Sequence, residues 1–572
     1  MIDLVPLAGK LKYTTMKFLN TLMVLVIMLL SACQGPTSKQ EQPTKEVPFV
    51  WDNANIYFLL TDRFKNGSTE NDVNFERTSE TAKLRGFMGG DLKGITQKIK
   101  DGYFTDLGIN ALWFSPVMEQ IHGGVDEGTG NTYAFHGYWT KDWTSLEPNF
   151  GTEEDLMELV ETAHAHGIRI LLDVIINHTG PVTKQDPVWP ADWVRTTPTC
   201  KYQDYETTVN CTLTDNLPDV KTESNEEVDV PAFLMEKWEK EGRLEKEMDE
   251  LNAFFARTGY VRSPRNYIIK WLTDLIRKYG IDGYRIDTAK HTEESVWGEL
   301  WKEAVVAFSD WKAAHPDQLM DNNPFYMVGE VYGYGISGEL LFDFGDRKVD
   351  YFKEGFHSLI NFEFKGDANK AYEPIFSKYS DLLHGPLKGK SVVNYLSSHD
   401  DGSPFDQDRT RPMEAGTKLL LCPGASQVYY GDESSRELII EGTQGDATLR
   451  SFMNWDEMAQ NVERNGYKVQ DILAHWQKLG RFRQAHLSVG AGVHQMMTES
   501  PYVFKRTYKN GSIDDKVVVG LDLAAGKKTI DVAGVFENGV MLKDYYSGKM
   551  VQVKKGKVEV DSTFDIVLLG LE

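Results

Sequence analysis

Between residues 50 and 485, short apolar runs alternate with stretches whose apolar positions recur every three to four residues. A continuous apolar run of four to six residues reads as a strand buried on both faces, and the 3.6-residue spacing as a helix lying over it. The runs fall at 56–60, 111–115, 169–174, 283–286, 325–328, 359–362, 392–396 and 427–430. Amphipathic stretches at 153–166, 266–278 and 295–314 separate some of them. Eight buried strands with helical spacers predict an α/β fold, a (β/α)8 TIM barrel. On periodicity alone a doubly wound sheet reads the same way.

Two departures from that rhythm predict further parts. More than a hundred residues separate the third run from the fourth, too many for one crossover. This gap carries Trp189, Trp193, Cys200 and Cys211 and a charged helix expected near 233–257. It reads as an inserted subdomain over 178–262, after strand 3. The barrel then takes 50–177 and 263–485. From 486 the pattern turns to alternating strands, at 516–523, 529–532 and 551–560, with glycine turns and no long helix. That predicts a C-terminal antiparallel β-sandwich over 486–572.

The N-terminus has a different character. Met16-Lys17-Phe18 opens a mostly apolar run that ends in Leu30-Ser31-Ala32-Cys33. A short basic start, an apolar segment and small residues before a cysteine resemble a bacterial lipoprotein signal. On that resemblance residues 1–32 are removed, with Met16 as a candidate true start. Cys33 then carries the lipid, and 33–49 form a polar, proline-containing tether. Such an address permits disulfides, and Cys200 and Cys211, eleven positions apart in a polar stretch, are expected to pair. Cys422, inside an apolar run, is expected to be a buried thiol. Asn66, Asn177, Asn210 and Asn510 fit the glycosylation sequon, which a bacterial address makes accidental.

Composition narrows the function. The chain of 572 residues has 85 acidic and 62 basic side chains, a net charge of −23. That argues against nucleic acid as a partner, because phosphate backbones demand a basic footprint. Aromatics make up 12%, which fits either a cleft for sugar rings or simply a large core.

In a barrel, chemistry gathers where strands run into their C-terminal loops. After the third run stands Asp173-Val174-Ile175-Ile176-Asn177-His178; the fourth is Gly283-Tyr284-Arg285-Ile286 followed by Asp287-Thr288-Ala289-Lys290-His291. Gly329-Glu330 follows the fifth and Ser397-Ser398-His399-Asp400 the seventh. These four segments resemble the four signature regions of the α-amylase family of glycoside hydrolases. Residues 217–224, 280–285 and 429–433 are more closely similar to its bacterial periplasmic members. Residues 135–139, Phe-His-Gly-Tyr-Trp, are similar both to those and to the cyclodextrin-forming transferases.

The resemblance implies Asp287 as nucleophile, Glu330 as general acid/base and Asp400 as a third carboxylate gripping sugar hydroxyls. Retaining glycoside cleavage needs such a pair of carboxyl groups ~5–5.5 Å apart. Arg285 lies two residues before Asp287 on one strand, so both point to the same side. The resemblance further implies hydroxyl contacts from His136, His178 and His399, stacking by Tyr138, and leaving-group contacts from Lys290 and His291. Two calcium sites follow from it. One joins Asn177, Asp219 and the main-chain oxygen of His291, clamping the insert to the barrel. The other uses Asn66, Asn71, Asp72, the Gly89 carbonyl and Asp91, with Ser68 where the pattern often has Asn or Asp. A chloride site is not expected, because Ser398 stands where chloride-binding members have Asn.

The reading is a monomeric α-amylase, a retaining endo-hydrolase of α-1,4 links in starch, glycogen or maltodextrins. It is lipid-anchored on the outer membrane facing the periplasm, with the cell surface as the alternative side. Rival readings are an α-glucan transglycosylase of the same family and a non-catalytic glycan-binding lipoprotein.

Overall fold

The computed structural model describes residues 47–126 and 128–572. The expected signal, Cys33 and the tether up to 46 lie outside the described residues. The folded body is Phe49–Glu572. Among the described residues no helix is long and apolar enough to cross a membrane.

Eight strands close into a parallel barrel: β1 (Asn55–Leu59), β2 (Ala111–Phe114), β3 (Arg169–Val174), β4 (Gly283–Ile286), β5 (Tyr326–Gly329), β6 (Ser358–Asn361), β7 (Ser391–Tyr395) and β8 (Ala425–Tyr429). Each pairs in parallel with its sequence neighbours, and β8 returns to β1 through Ile56 opposite Gln427. Every residue of these strands is buried, which is why the runs are mostly apolar and why buried polar members such as Asp173 and Arg285 are paired. The eight runs read from the sequence are these eight strands, with ends displaced by two residues at most. The closed order rules out the doubly wound alternative.

Helices α1 (Leu92–Lys100), α2 (Glu153–Ala165), α5 (Pro264–Tyr279), α6 (Glu294–Ala314), α7 (Tyr372–His384), α8 (Pro412–Leu421) and α9 (Val469–Ala485) lie between or after barrel strands; α3 (Ala232–Lys240) and α4 (Leu244–Thr258) belong to the long β3–β4 connection. Their ends follow sequence rules. Thr152 caps α2, accepting from Asp155 N–H while the Asp155 carboxylate accepts from Thr152 N–H. Proline opens α5 and Gly280, at φ 72°, ends it.

The β3–β4 connection holds a short antiparallel pair, Val194–Arg195 with Asp219–Val220, a Cys200–Cys211 disulfide, and α3 (Ala232–Lys240) and α4 (Leu244–Thr258). One helix was expected there. The structure has two, because Gly242 takes a left-handed φ of 72° between them. Cys422 is the buried free thiol expected of it.

At the C-terminal end, β9 (Val493–Thr498), β10 (Tyr502–Asn510), β11 (Ile513–Leu521), β13 (Met541–Asp544), β14 (Lys549–Gln552) and β16 (Val567–Gly570) form a six-stranded sheet in the order 9-10-11-16-13-14. β12 (Gly526–Asp531) and β15 (Lys557–Ser562) form the second layer. Period-two alternation assigns the faces. On β11, Val517, Val519 and Leu521 join the large core that includes the barrel, whereas Val518 joins the separate core between the two layers. The single strand expected at 551–560 is two strands, β14 and β15, with Gly556 at φ 72° in the turn between them.

Candidate active site

The barrel register builds the site. Arg285 on β4 lies opposite Asp173 on β3 and Val328 on β5. Pairing continues one residue past the strands. Asp287 N–H donates to the Val174 carbonyl (3.0 Å) and Glu330 N–H to the Ile286 carbonyl (2.9 Å). The two carboxyl groups therefore leave adjacent strands at the same level of the C-terminal rim.

One buried guanidinium gathers three acids. Arg285 Nη1 lies 2.7 Å from Asp287 Oδ1 and 3.0 Å from Asp173 Oδ1, and Nη2 lies 3.1 Å from Glu330 Oε1. A charge buried this deeply is stable only when paired. Asp173 also accepts from Trp113 Nε1 and the Tyr138 hydroxyl, both at 2.9 Å. Glu330 Oε2 accepts from Thr288 N–H at 2.9 Å. Burial pushes the Glu330 carboxyl up to about 8; Arg285 opposes this, and Asp287 and Asp400 reinforce it. Glu330 thus keeps its proton at neutral pH, beside a neighbour held against a cation.

Thr288 itself sits at φ 48°, a left-handed conformation that β-branched residues avoid. Such backbone costs about 1–3 kcal/mol and persists where surrounding structure enforces it. Here it aims an N–H at the acid.

Of the expected sugar contacts, His136, Tyr138, His178, His291 and His399 line the same cleft, which encloses about 290 Å³; Lys290 does not. His136 Nδ1 accepts from Tyr138 N–H (3.0 Å), so its proton sits on Nε2. His178 Nε2–H donates to the Tyr138 carbonyl (3.2 Å). Burial lowers the pKa of His136, His178 and His399, leaving neutral rings at pH 7. The Tyr138 ring lies parallel to His399 (centroids 5.0 Å) and to His136 (5.8 Å), and its phenol is tied to Asp173. Asp400 is the open member of the acid group, its side chain 41% exposed, with His399 Nε2 3.8 Å away. Lys290 Nζ donates to the Tyr332 carbonyl (3.0 Å), and burial lowers its pKa. His291 Nδ1–H donates to the Thr208 carbonyl (3.0 Å).

Several groups of the site escaped the sequence reading. Asp173 and Trp113 look like core strand residues, and only barrel register reveals them as partners of Arg285 and Tyr138. A second ionic group, Arg85–Asp446–Arg450, rims the cleft: Arg85 Nη2 is 3.1 Å from Asp446 Oδ1, and Arg450 pairs with the other oxygen. Arg450 Nε also donates to the His399 carbonyl (2.9 Å). The spacing of Asp446 and Arg450, four apart in a 3-10 turn, was the available signal.

The oxygen-rich clusters fit calcium unequally. Asn66, Asp72 and Gly89 converge: Asn66 Nδ2 donates to Asp72 Oδ1 (2.9 Å), and a Cβ on Gly89 would strike both. Asn71 Oδ1 is buried without a partner, the state of an oxygen that suits a hard cation. Asp91 departs from the expectation. Its carboxylate accepts from the N–H groups of Gly67, Ser68 and Gly94 and caps α1. At the other cluster Asp219 is paired with Arg195 Nε (2.9 Å), a competitor the sequence reading lacked. Glu293 Oε1 is buried nearby without a partner, so oxygen ligands remain there beside Asn177. Among the described residues no group of three or more His, Cys, Asp or Glu side chains is assembled as a metal site.

Comparison with known proteins agrees with this geometry. The alpha-amylase catalytic domain family matches residues 58–492. The chain is 36% identical over 533 residues to the periplasmic alpha-amylase of Escherichia coli (strain K12), covering 82% of this chain and 72% of that one. It is 25% identical over 485 residues to a cyclomaltodextrin glucanotransferase of Thermoanaerobacterium thermosulfurigenes, covering 80% of this chain but 58% of the transferase. Among solved structures, an Anoxybacillus alpha-amylase superposes with a TM-score of 0.61 at 24% identity, covering 92% and 99% of the two chains. One from Geobacillus thermoleovorans, complexed with acarbose, gives 0.63 at 21% identity, covering 92% and 99%. This chain belongs to the α-amylase family.

Proposed function

We propose that this glycoside hydrolase cleaves internal α-1,4 links of glucans with retention, using Asp287 as nucleophile and Glu330 as acid/base. The observation that carries the reading is the Arg285 bridge, which touches both carboxyl groups, with Glu330 pushed up to about 8 by burial. Asp287 attacks the anomeric carbon while Glu330 protonates the departing oxygen. A glycosyl–enzyme ester forms, and Glu330, now a base, takes a proton from the water that releases the sugar. Neutral His136, His178 and His399 hydrogen-bond hydroxyls without competing for that proton. Asp400, open to the cleft, accepts from two hydroxyls of the same ring.

Asn66, Asn71, Asp72 and the Gly89 carbonyl would hold calcium, which supplies charge neutralisation to the loop before α1 and takes no part in the chemistry. Asn177, Asp219 and the His291 main-chain oxygen would hold a second ion only if Arg195 gives way. We divide the chain as barrel (50–177 and 263–485), insert (178–262) and sandwich (486–572). The lipoprotein-like segment and the periplasmic relative support an enzyme tethered through Cys33 in the cell envelope.

Reducing-sugar release from starch tests the reading. The wild type is expected to release sugar and Glu330→Gln to fail; equal behaviour would refute it and favour a glycan-binding lipoprotein. The transferase relatives support a second outcome, transfer to sugar. Time-resolved products from maltoheptaose separate the two, since cyclic or elongated products mark the transferase.

A further inference from the structure

The mechanism leaves the disulfide-closed loop 200–211, which contains the helical turn Glu206–Val209, without a task. Its ends are held together by the Cys200–Cys211 bridge, with Cα atoms 4.9 Å apart, and by Cys200 N–H to the Thr212 carbonyl (2.9 Å). Between them the chain is mostly polar, and few of its residues are buried. Yet its middle is anchored firmly. The Tyr205 hydroxyl donates to Glu294 Oε2 (2.6 Å) at the start of α6, and Tyr205 N–H donates to Asp346 Oδ1 (2.9 Å). Three residues on, the Thr208 carbonyl accepts from His291 Nδ1 at 3.0 Å.

That last contact reaches the cleft wall. A carbonyl only accepts, so the Thr208 bond places the His291 proton on Nδ1 and leaves Nε2 of the neutral ring as an acceptor. His291 lines the cleft beside Lys290, whose ammonium is bound to the carbonyl of Tyr332, two residues after Glu330. His291 and Tyr332 thus share the cleft with Glu330, the group that protonates the departing oxygen.

We infer that the bridged loop 200–211 is a positioning element: through the Thr208 carbonyl it holds the His291 ring so that Nε2 accepts a hydroxyl of the leaving-side sugar. Thr208 and Tyr205 are then positioning residues, and the disulfide keeps their loop short enough to hold the ring. The inference rests on the glucan-hydrolase reading. It places the support of a specificity contact in a loop remote in sequence from the three reacting carboxylates.

A kinetic cycle on maltoheptaose tests it, using the full-length wild type, Cys200→Ser/Cys211→Ser, His291→Ala and the combined variant. Loss of the bridge is expected to raise KM roughly five- to tenfold while kcat changes less than about twofold. In the His291→Ala background the same loss is expected to add nothing, because both changes remove one interaction. Reductant should reproduce the KM rise in the wild type and leave the double-serine variant unchanged. If the double-serine protein does not fold, Tyr205→Phe, which keeps the bridge and loses the anchor on Glu294, takes its place in the cycle. Additive KM effects, or an unchanged KM with only a lower melting temperature, would overturn the inference. Absence of any wild-type turnover would instead sink the hydrolase reading, so the two failures are distinguishable.

Discussion

Two glutamates at strand ends of this barrel share burial and a raised pKa but not their surroundings. Glu330 follows β5 and Glu433 follows β8. Glu433 is fully buried, accepting from the Tyr57 hydroxyl (2.7 Å), the Tyr103 hydroxyl and Gly431 N–H (3.1 Å), and among the described residues it forms no salt bridge. Glu330 touches Arg285, lies among Asp287 and Asp400, and opens onto a cleft. Burial raises both carboxyl groups, so a displaced pKa alone does not mark an active site. What separates them is a second carboxylate held at the same level by one guanidinium, with room for a sugar in front.

That contrast can be broken by mutation. The largest effect should come from Glu330→Gln, which lowers kcat on starch roughly a thousand- to ten-thousand-fold. Glu433→Gln keeps acceptors for the tyrosines and is expected to stay within about threefold of wild type. Comparable losses at both sites would erase the distinction. Arg285→Gln should cost roughly a hundred- to a thousandfold in kcat/KM, because it frees the one group that fixes both acids.

Smaller effects lie in pH. Glu330 must be protonated to act, so kcat/KM should fall as pH rises through about 8, the value to which burial pushes it. Asp400 pushes Glu330 up, so the limb that remains in Asp400→Asn should move to lower pH. Arg285 pulls Glu330 down, so Arg285→Gln should move it to higher pH. A limb indifferent to both changes would assign it to another group.

The smallest effects concern stability. A carboxyl raised on folding holds its proton more tightly in the folded chain. Between its ordinary 4.5 and about 8, the fold therefore loses stability as pH rises. Glu330→Gln removes that cost and should raise the melting temperature at pH 8 by a few degrees, most simply read by calorimetry. If the Asn66–Asp72 cradle holds calcium, chelation should lower the melting temperature of the wild type. The Asp72→Asn variant should respond less.

Much of this was legible in the chain, for physical reasons. Parallel strands buried on both faces must be largely apolar, so the eight runs stood out. Arg285 interrupts the fourth run, and Asp287, Glu330 and Asp400 stand just beyond the ends of theirs; polar residues there need an explanation. Breaks were harder to see. Gly242 and Gly556 each interrupt a pattern that reads as continuous, because one glycine inside a charged helix or an alternating strand is weak punctuation. β9 was missed because it is mostly exposed, with Val493 and Met496 facing outward. Asp173 and the Arg85–Asp446–Arg450 group depend on contacts between residues far apart in sequence. The left-handed Thr288 carries no sequence mark, since threonine is a poor choice for that conformation.

The assignment of nucleophile and acid can be tested in one mass-spectrometric measurement. Glu330→Gln is incubated with α-maltosyl fluoride, whose leaving group needs no protonation, and then digested. Without the base that activates water, the ester should accumulate. A maltosyl adduct is expected on the peptide containing Asp287. An adduct on another carboxylate, or fluoride release at wild-type rate with no adduct, would contradict the roles assigned to these two residues.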